Sequence, residues 1–286
     1  ELNKPKDATG NEVPAGVQWQ TLRSDRNDKY AQPTGEWIGN PSLNTNIGPA
    51  SQALKGAQNV VLPGVDHREA AHSPAAFGAM YNFLMGKAPE TYEIKPETQA
   101  TLDGVISGVE GQSAGFPSNL PLKGAHIEVW PVNAETGIRT TTTPAYTYTT
   151  TRDGRWGGFA ADPKQTYEFV ISASGYPTHH IYRSPFPRNS NIVNFRLQRI
   201  VHADPDARAI VTRPRGYFDL RRDTMSFGRA VPPPGIPSQG AGVSMSRMKS
   251  VSDEPETVVA RFNNERVAGR TWPLADKHVV FLELTY

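Results

Sequence analysis

With 286 residues, 37% of them hydrophobic, and no cysteine, the chain is long enough for two or three cores. It excludes disulfides, cysteine-ligated zinc and cysteine nucleophiles. A balance of 30 basic against 28 acidic residues, net charge +2, argues against a nucleic-acid partner. The arginines from Arg213 to Arg222 have only Tyr217 and Phe218 among them and read as a solvated face. Mean hydropathy is −0.52 and no apolar run nears the ~18 residues of a bilayer span, so a transmembrane segment is excluded. The 25 Gly and 25 Pro favour turns and short strands.

Residues 1–16 are polar and punctuated by Pro and Gly, as a loop is. Val17 to Leu22 alternates apolar and polar, as a strand does. A polar loop follows to Gln32, then a Pro-, Gly- and Asn-rich irregular stretch over 33–50. Asn59 to Leu62 is a short apolar run closed by Pro63-Gly64, which suits a buried parallel strand. Ser73 is a helix N-cap and Pro74 fits the first helical position. Ala76, Phe77, Met80, Phe83 and Leu84 then recur at three- and four-residue spacing until Gly86.

From about residue 97 the texture becomes that of strands. Leu102 to Val109, Ala125 to Trp130 and Tyr167 to Ile171 alternate, separated by turn signals at 135–137 and 153–154. The threonine-rich stretch from Thr140 to Thr151 also fits strands. A second break falls near 203–215. Glu256 to Phe262 and His278 to Leu284 read as further strands, with turns at Asn263-Asn264 and Ala268-Gly269. The expected domains are 1–93, 97–202 and 203–286, the last being either a second β unit or the completion of the first.

The chemistry sits in the first ninety residues. Their order is strand, acidic loop, strand, histidine loop, helix. The acidic loop offers Asp25 and Asp28, and the histidine loop offers His67. A histidine that takes a proton from a serine near neutral pH needs a carboxylate on its other nitrogen, to fix the tautomer and stabilise the imidazolium. The run Val60-Val-Leu-Pro-Gly-Val-Asp-His67, followed by Ser73-Pro-Ala-Ala-Phe77 and Phe83-Leu84, resembles the histidine loop and closing helix of microbial lipases and esterases of the α/β-hydrolase fold. The region after 97 resembles the extra C-terminal β-domain that some of these lipases carry. Gly104 to Gly108 and Leu122 to Val129 resemble the start of a carboxypeptidase-regulatory-like sandwich.

The resemblance implies a fold class of α/β plus all-β: the end of an α/β-hydrolase sheet, then a β-sandwich or barrel accessory region. It implies a carboxylic-ester hydrolase with His67 as general base, His72 being the competitor, and with Asp28 as triad acid and Asp25 as the alternative. The substrate would be an ester and no cofactor is needed. The nucleophilic serine and the oxyanion-hole N–H groups would come from the N-terminal half of the hydrolase domain, upstream or on a companion chain. A pair of βα elements alone would expose a sheet edge and half a core, so the region is expected to need that partner. Accessory β-domains and the Thr/Pro/Gly-rich texture point to a secreted or periplasmic location.

Four competing readings stand beside this one. Gly111-Gln-Ser113-Ala-Gly115 matches the nucleophile-elbow motif literally. However, Pro117 and Pro121 bar the required helix, and Ser113 follows the histidine rather than preceding it. His67, Glu69 and His72 evoke a zinc motif, but histidines five apart diverge by about 140° on a helix. Finally, the β-region could be a non-catalytic module for lipid, polymer or carbohydrate surfaces, and the same triad would also serve an amidase or peptidase.

Overall fold

The computed structural model describes residues 4–25, 27–28, 32–35, 40–45, 53–109, 119–199, 207–238, 242–249 and 253–285. The chain divides into two compact units. One comprises 1–93 with 215–218 and 239–244, and the other comprises 94–214, 219–238 and 245–286.

In the first unit, Gln20–Ser24 pairs in parallel with Gln58–Leu62, Leu22 opposite Val60 and Ser24 opposite Leu62. Two helices follow, Glu69–His72 and Pro74–Met85. The longer helix starts where the sequence asks it to. The Ser73 side chain accepts from the Ala76 N–H at 3.2 Å, and Pro74 fills the first turn. It stops at Gly86, whose φ of 68° is the left-handed cap that glycine adopts without strain. Leu62, Val65 and Ala76 form a small core, flanked by Leu22, Val60, Ala70 and Ala79. In the stretch expected to be irregular, Thr34–Gly35 pairs with Asn40–Asn44.

The expected α/β class is not met. Among the described residues this unit holds one parallel pair of five-residue strands, not part of a hydrolase sheet, and the chain is mainly β, with α-helices of only 4 and 12 residues. The reason lies in the strands themselves. Central parallel strands are covered on both faces and read as continuous apolar runs. Here Gln20–Ser24 is largely polar, and in Gln58–Leu62 only Leu62 is buried while Val61 is 43% exposed.

The second unit is built of sandwich-like sheets. Its seven-stranded sheet runs Met245–Lys249, Ala207–Thr212, Val279–Glu283, His179–Arg183, Thr166–Ser172, His126–Val132, Tyr146–Thr149. Ala100–Gly108 organises another sheet, pairing with Phe195–Leu197, Leu120–Pro121 and Arg155–Ala161. Alternation puts Leu102 and Ile106 of that strand inward. They share one core with Ile127, Val129, Trp156, Phe169, Ile171, Phe195 and Phe281. Each such fully buried side chain contributes about 1.5–3 kcal/mol. Aromatic rings dominate this core. Trp156 lies 5.5 Å from Phe195 and 5.9 Å from Phe169, centroid to centroid.

The C-terminal residues enter the same sheet. Val279–Glu283 lies between His179–Arg183 and Ala207–Thr212 and is parallel to both. Met225–Phe227, Thr257–Phe262 and Glu265–Arg270 make a separate three-stranded sheet. The turn expected at Ala268-Gly269 is instead inside Glu265–Arg270. Gly269 is required there by proximity, since a β-carbon on it would stand 2.7 Å from the Tyr182 ring. The turn at Asn263 is present, with a φ of 50°. Of the threonine-rich stretch, only Tyr146–Thr149 is a strand, and an isolated bridge at Arg139 lies just before the stretch.

Candidate active site

The two loops that follow the parallel strands carry the candidate residues. Asp28 lies four residues beyond Gln20–Ser24, and His67 lies five beyond Gln58–Leu62. Because the strands are parallel and in register, both loops leave from the same end of the pair. His67 Nδ1 stands 2.9 Å from Asp28 Oδ2. The imidazole is 55% exposed and the carboxylate 9%. An ionised carboxylate only accepts, so Nδ1 carries the proton and Nε2 is the basic nitrogen of the neutral ring.

The other candidates are placed apart from this contact. Asp25 accepts from the Asn27 N–H and, through Oδ2, from the Gly64 N–H, each at 3.0 Å. It therefore ties the acidic loop to the histidine loop. His72 ends the short helix Glu69–His72 and is exposed. Ser113 lies outside the described residues. Among the described residues no three or more histidine and carboxylate side chains are grouped to hold a metal ion.

Further residues fix the histidine loop. Ser24 donates its hydroxyl to the Val65 carbonyl. Asp66 is buried, and its Oδ1 accepts from the Arg68 and Glu69 N–H groups at 2.8 and 2.9 Å. Glu69 Oε2 accepts in return from the Asp66 N–H at 2.7 Å, which is a reciprocal capping arrangement. Asp66 Oδ2 accepts from the Tyr217 N–H at 2.5 Å, in the 215–218 segment of the same unit. The Arg68 guanidinium covers the Tyr217 ring at 4.6 Å. His67 is thus bracketed by residues with fixed backbones. Asp66 with Glu69 three residues on has the acid-x-x-Glu spacing of a reciprocal cap, and this local signal stands in the sequence at the start of the short helix. The role of Tyr217 left no local trace in the sequence.

Residues 99–200 match the family model described as the lipase C-terminal domain. The match supports a lipase-related C-terminal domain over this stretch of the second unit. No curated protein matches the chain. Among solved structures, hydroxyquinol 1,2-dioxygenase from Pseudomonas putida DLL-E4 is similar at 14% identity over 37% of this chain and 58% of its own, with a TM-score of 0.24. Catechol 1,2-dioxygenase from Pseudomonas arvilla C-1 is similar at 16% identity over 39% and 55%, with a TM-score of 0.23. The shaft pilin SpaA from Lactobacillus rhamnosus GG is similar at 9% identity over 66% and 98%, with a TM-score of 0.24. The chain spans little more than half the length of the two dioxygenases. Scores of this size fall short of a shared fold.

Proposed function

We propose that the chain works in a serine carboxylic-ester hydrolase of the lipase kind, to which it contributes the base His67 and its orienting acid Asp28. The 2.9 Å contact between His67 Nδ1 and Asp28 Oδ2 carries this reading, a buried carboxylate meeting a half-exposed ring. The match of residues 99–200 to a lipase-associated domain supports it independently.

In this reading a serine hydroxyl attacks the ester carbonyl, and His67 Nε2 takes its proton. Asp28 holds the Nδ1 proton and stabilises the imidazolium. The tetrahedral intermediate collapses, and the same proton goes to the departing alkoxide. Water then repeats the sequence on the acyl-enzyme. The serine and the oxyanion donors come from a segment upstream or from a companion chain, and no cofactor takes part. The lipase-related β-domain contacts apolar or polymeric ester. Such a substrate fits a secreted or periplasmic setting.

Fluorophosphonate labelling of the purified protein, read by intact and peptide mass spectrometry, tests the reading. A labelled serine outside this sequence, whose reactivity is lost in His67→Ala, is the expected result. Folded protein with no labelled serine would overturn the assignment and leave a surface-binding module in its place.

A further inference from the structure

The second unit holds a second polar array, unconnected with the reading above. Glu168, on Thr166–Ser172, is 1% exposed and accepts three hydrogen bonds. His180 Nδ1 lies 2.7 Å from its Oε1, the Tyr182 hydroxyl donates to Oε1 at 2.9 Å, and Arg139 Nε donates to Oε2 at 2.6 Å. His180 Nε2 then faces His278 Nδ1 at 2.9 Å. The Trp272 ring stacks on the His180 imidazole at 4.4 Å and meets the His278 imidazole tilted, at 4.8 Å between centroids.

Proton counting restricts the states of this array. Glu168 is ringed by donors, so His180 keeps its proton on Nδ1. With no added proton, His278 donates from Nδ1 to the Nε2 lone pair of His180. With one added proton, either ring is the imidazolium and the N–H···N bond is charge-assisted. With two, a proton sits on each facing nitrogen. The bond is then lost and two like charges stand 2.9 Å apart.

We infer that His180 and His278 form a one-proton latch, which holds residues 272–278 against the seven-stranded sheet and releases them when the pair takes up a second proton. His278 immediately precedes Val279–Glu283, so its hold sets how the segment enters that strand. The charged and titratable groups around the pair are Glu168, Tyr182 and Arg139 on the sheet side and Asp276 on the segment. His179, next along the strand, is separately engaged with Pro177 and Gln198. Burial and then the neighbouring His180 hold the His278 imidazole below its ordinary value, with Asp276 opposing weakly. Opening therefore belongs below the ordinary histidine value.

Titration of the full chain tests this, with Trp272 emission, imidazole nitrogen resonances and far-ultraviolet circular dichroism followed together. The expected result is an emission step centred below pH 6.5, the ordinary histidine value, at which the two imidazoles titrate as a coupled pair while the β-sheet signal is unchanged. The step disappears in Trp272→Phe, which loses the probe. It also disappears in His278→Gln, whose uncharged amide still bonds to His180. A step that survives in His278→Gln at the same pH overturns the latch. So does independent titration of the two rings in the unaltered protein, or a step that coincides with loss of sheet.

Discussion

His67 and Asp28 are 39 positions apart in the chain, and their side chains meet at 2.9 Å. The contact is asymmetric, an exposed ring leaning on a buried carboxylate. That asymmetry suits a base whose reactive nitrogen must reach a substrate while its other nitrogen stays fixed.

Asp28→Asn tests the role of the acid. The amide is nearly the same shape, but it presents a donor as readily as an acceptor, so it no longer dictates Nδ1–H. In the serine-protease template the corresponding change costs about 10⁴ in kcat with the geometry intact. Ester hydrolysis by the assembled enzyme is expected to fall by about 10³–10⁴ in kcat with KM little changed. A loss confined to KM would remove Asp28 from the proton-transfer chain.

Asp25→Ala is expected to behave differently. Asp25 touches the Gly64 N–H rather than the imidazole, so its removal loosens the histidine loop without altering the tautomer. Misplacement of a catalytic group by about 1 Å costs up to ~10² in rate. A loss of about 10- to 100-fold is expected, largely rescued by Asp25→Asn, which retains an acceptor for Gly64. A loss in Asp25→Ala equal to that of Asp28→Asn, with no rescue, would assign the acid role to Asp25.

The sequence made the helix Pro74–Met85 legible to within a residue, because its cap, first-turn proline and terminal glycine are local signals. The alternating strands around Leu102, Ile127 and Phe169 were legible for the same reason. The class was not. A parallel pair such as Gln20–Ser24 with Gln58–Leu62 looks the same locally whether or not further strands flank it, and sheet size is a non-local property. In the candidate site, His67 and the acidic loop were visible as residue types in order. Asp28 was placed ahead of Asp25 by resemblance alone, since which carboxylate the turn aims at the ring has no local pattern. The grip of Tyr217 on Asp66 spans 151 positions and leaves no pattern near either residue.

Gly269→Ala addresses a position where the local reading pointed the wrong way. A glycine beside an alanine reads as a turn, yet both residues lie in a strand. The added methyl would meet the Tyr182 ring at 2.7 Å, and Tyr182 is itself fully buried and bonded to Glu168. Neither neighbour can yield cheaply. Overpacking of this kind costs about 1–3 kcal/mol. The expected outcome is a lower urea midpoint with an unchanged m value. Wild-type stability in Gly269→Ala would mean that the ring has room to move.

Acid sensitivity of the second unit follows from His179. Its Nδ1 donates to the Pro177 carbonyl at 2.8 Å, and its Nε2 accepts from the Gln198 N–H at 2.8 Å. Both nitrogens are committed, and the ring is fully buried. Burial first, and the neighbouring His180 with it, push its value down from 6.5 to about 4, against the opposing bond to Pro177. Between these values the unfolded chain binds a proton that the folded chain refuses. Stability therefore falls as the pH drops from 6.5 towards 4 and levels off below that. A gap of this size corresponds to about 3 kcal/mol, at ~1.4 kcal/mol per pH unit. Urea denaturation across that range should show the slope, and His179→Gln should be less stable near neutrality but flatter with pH. A variant as acid-sensitive as the unaltered protein would move the cause to other groups, His278 foremost, whose value is also lowered by burial.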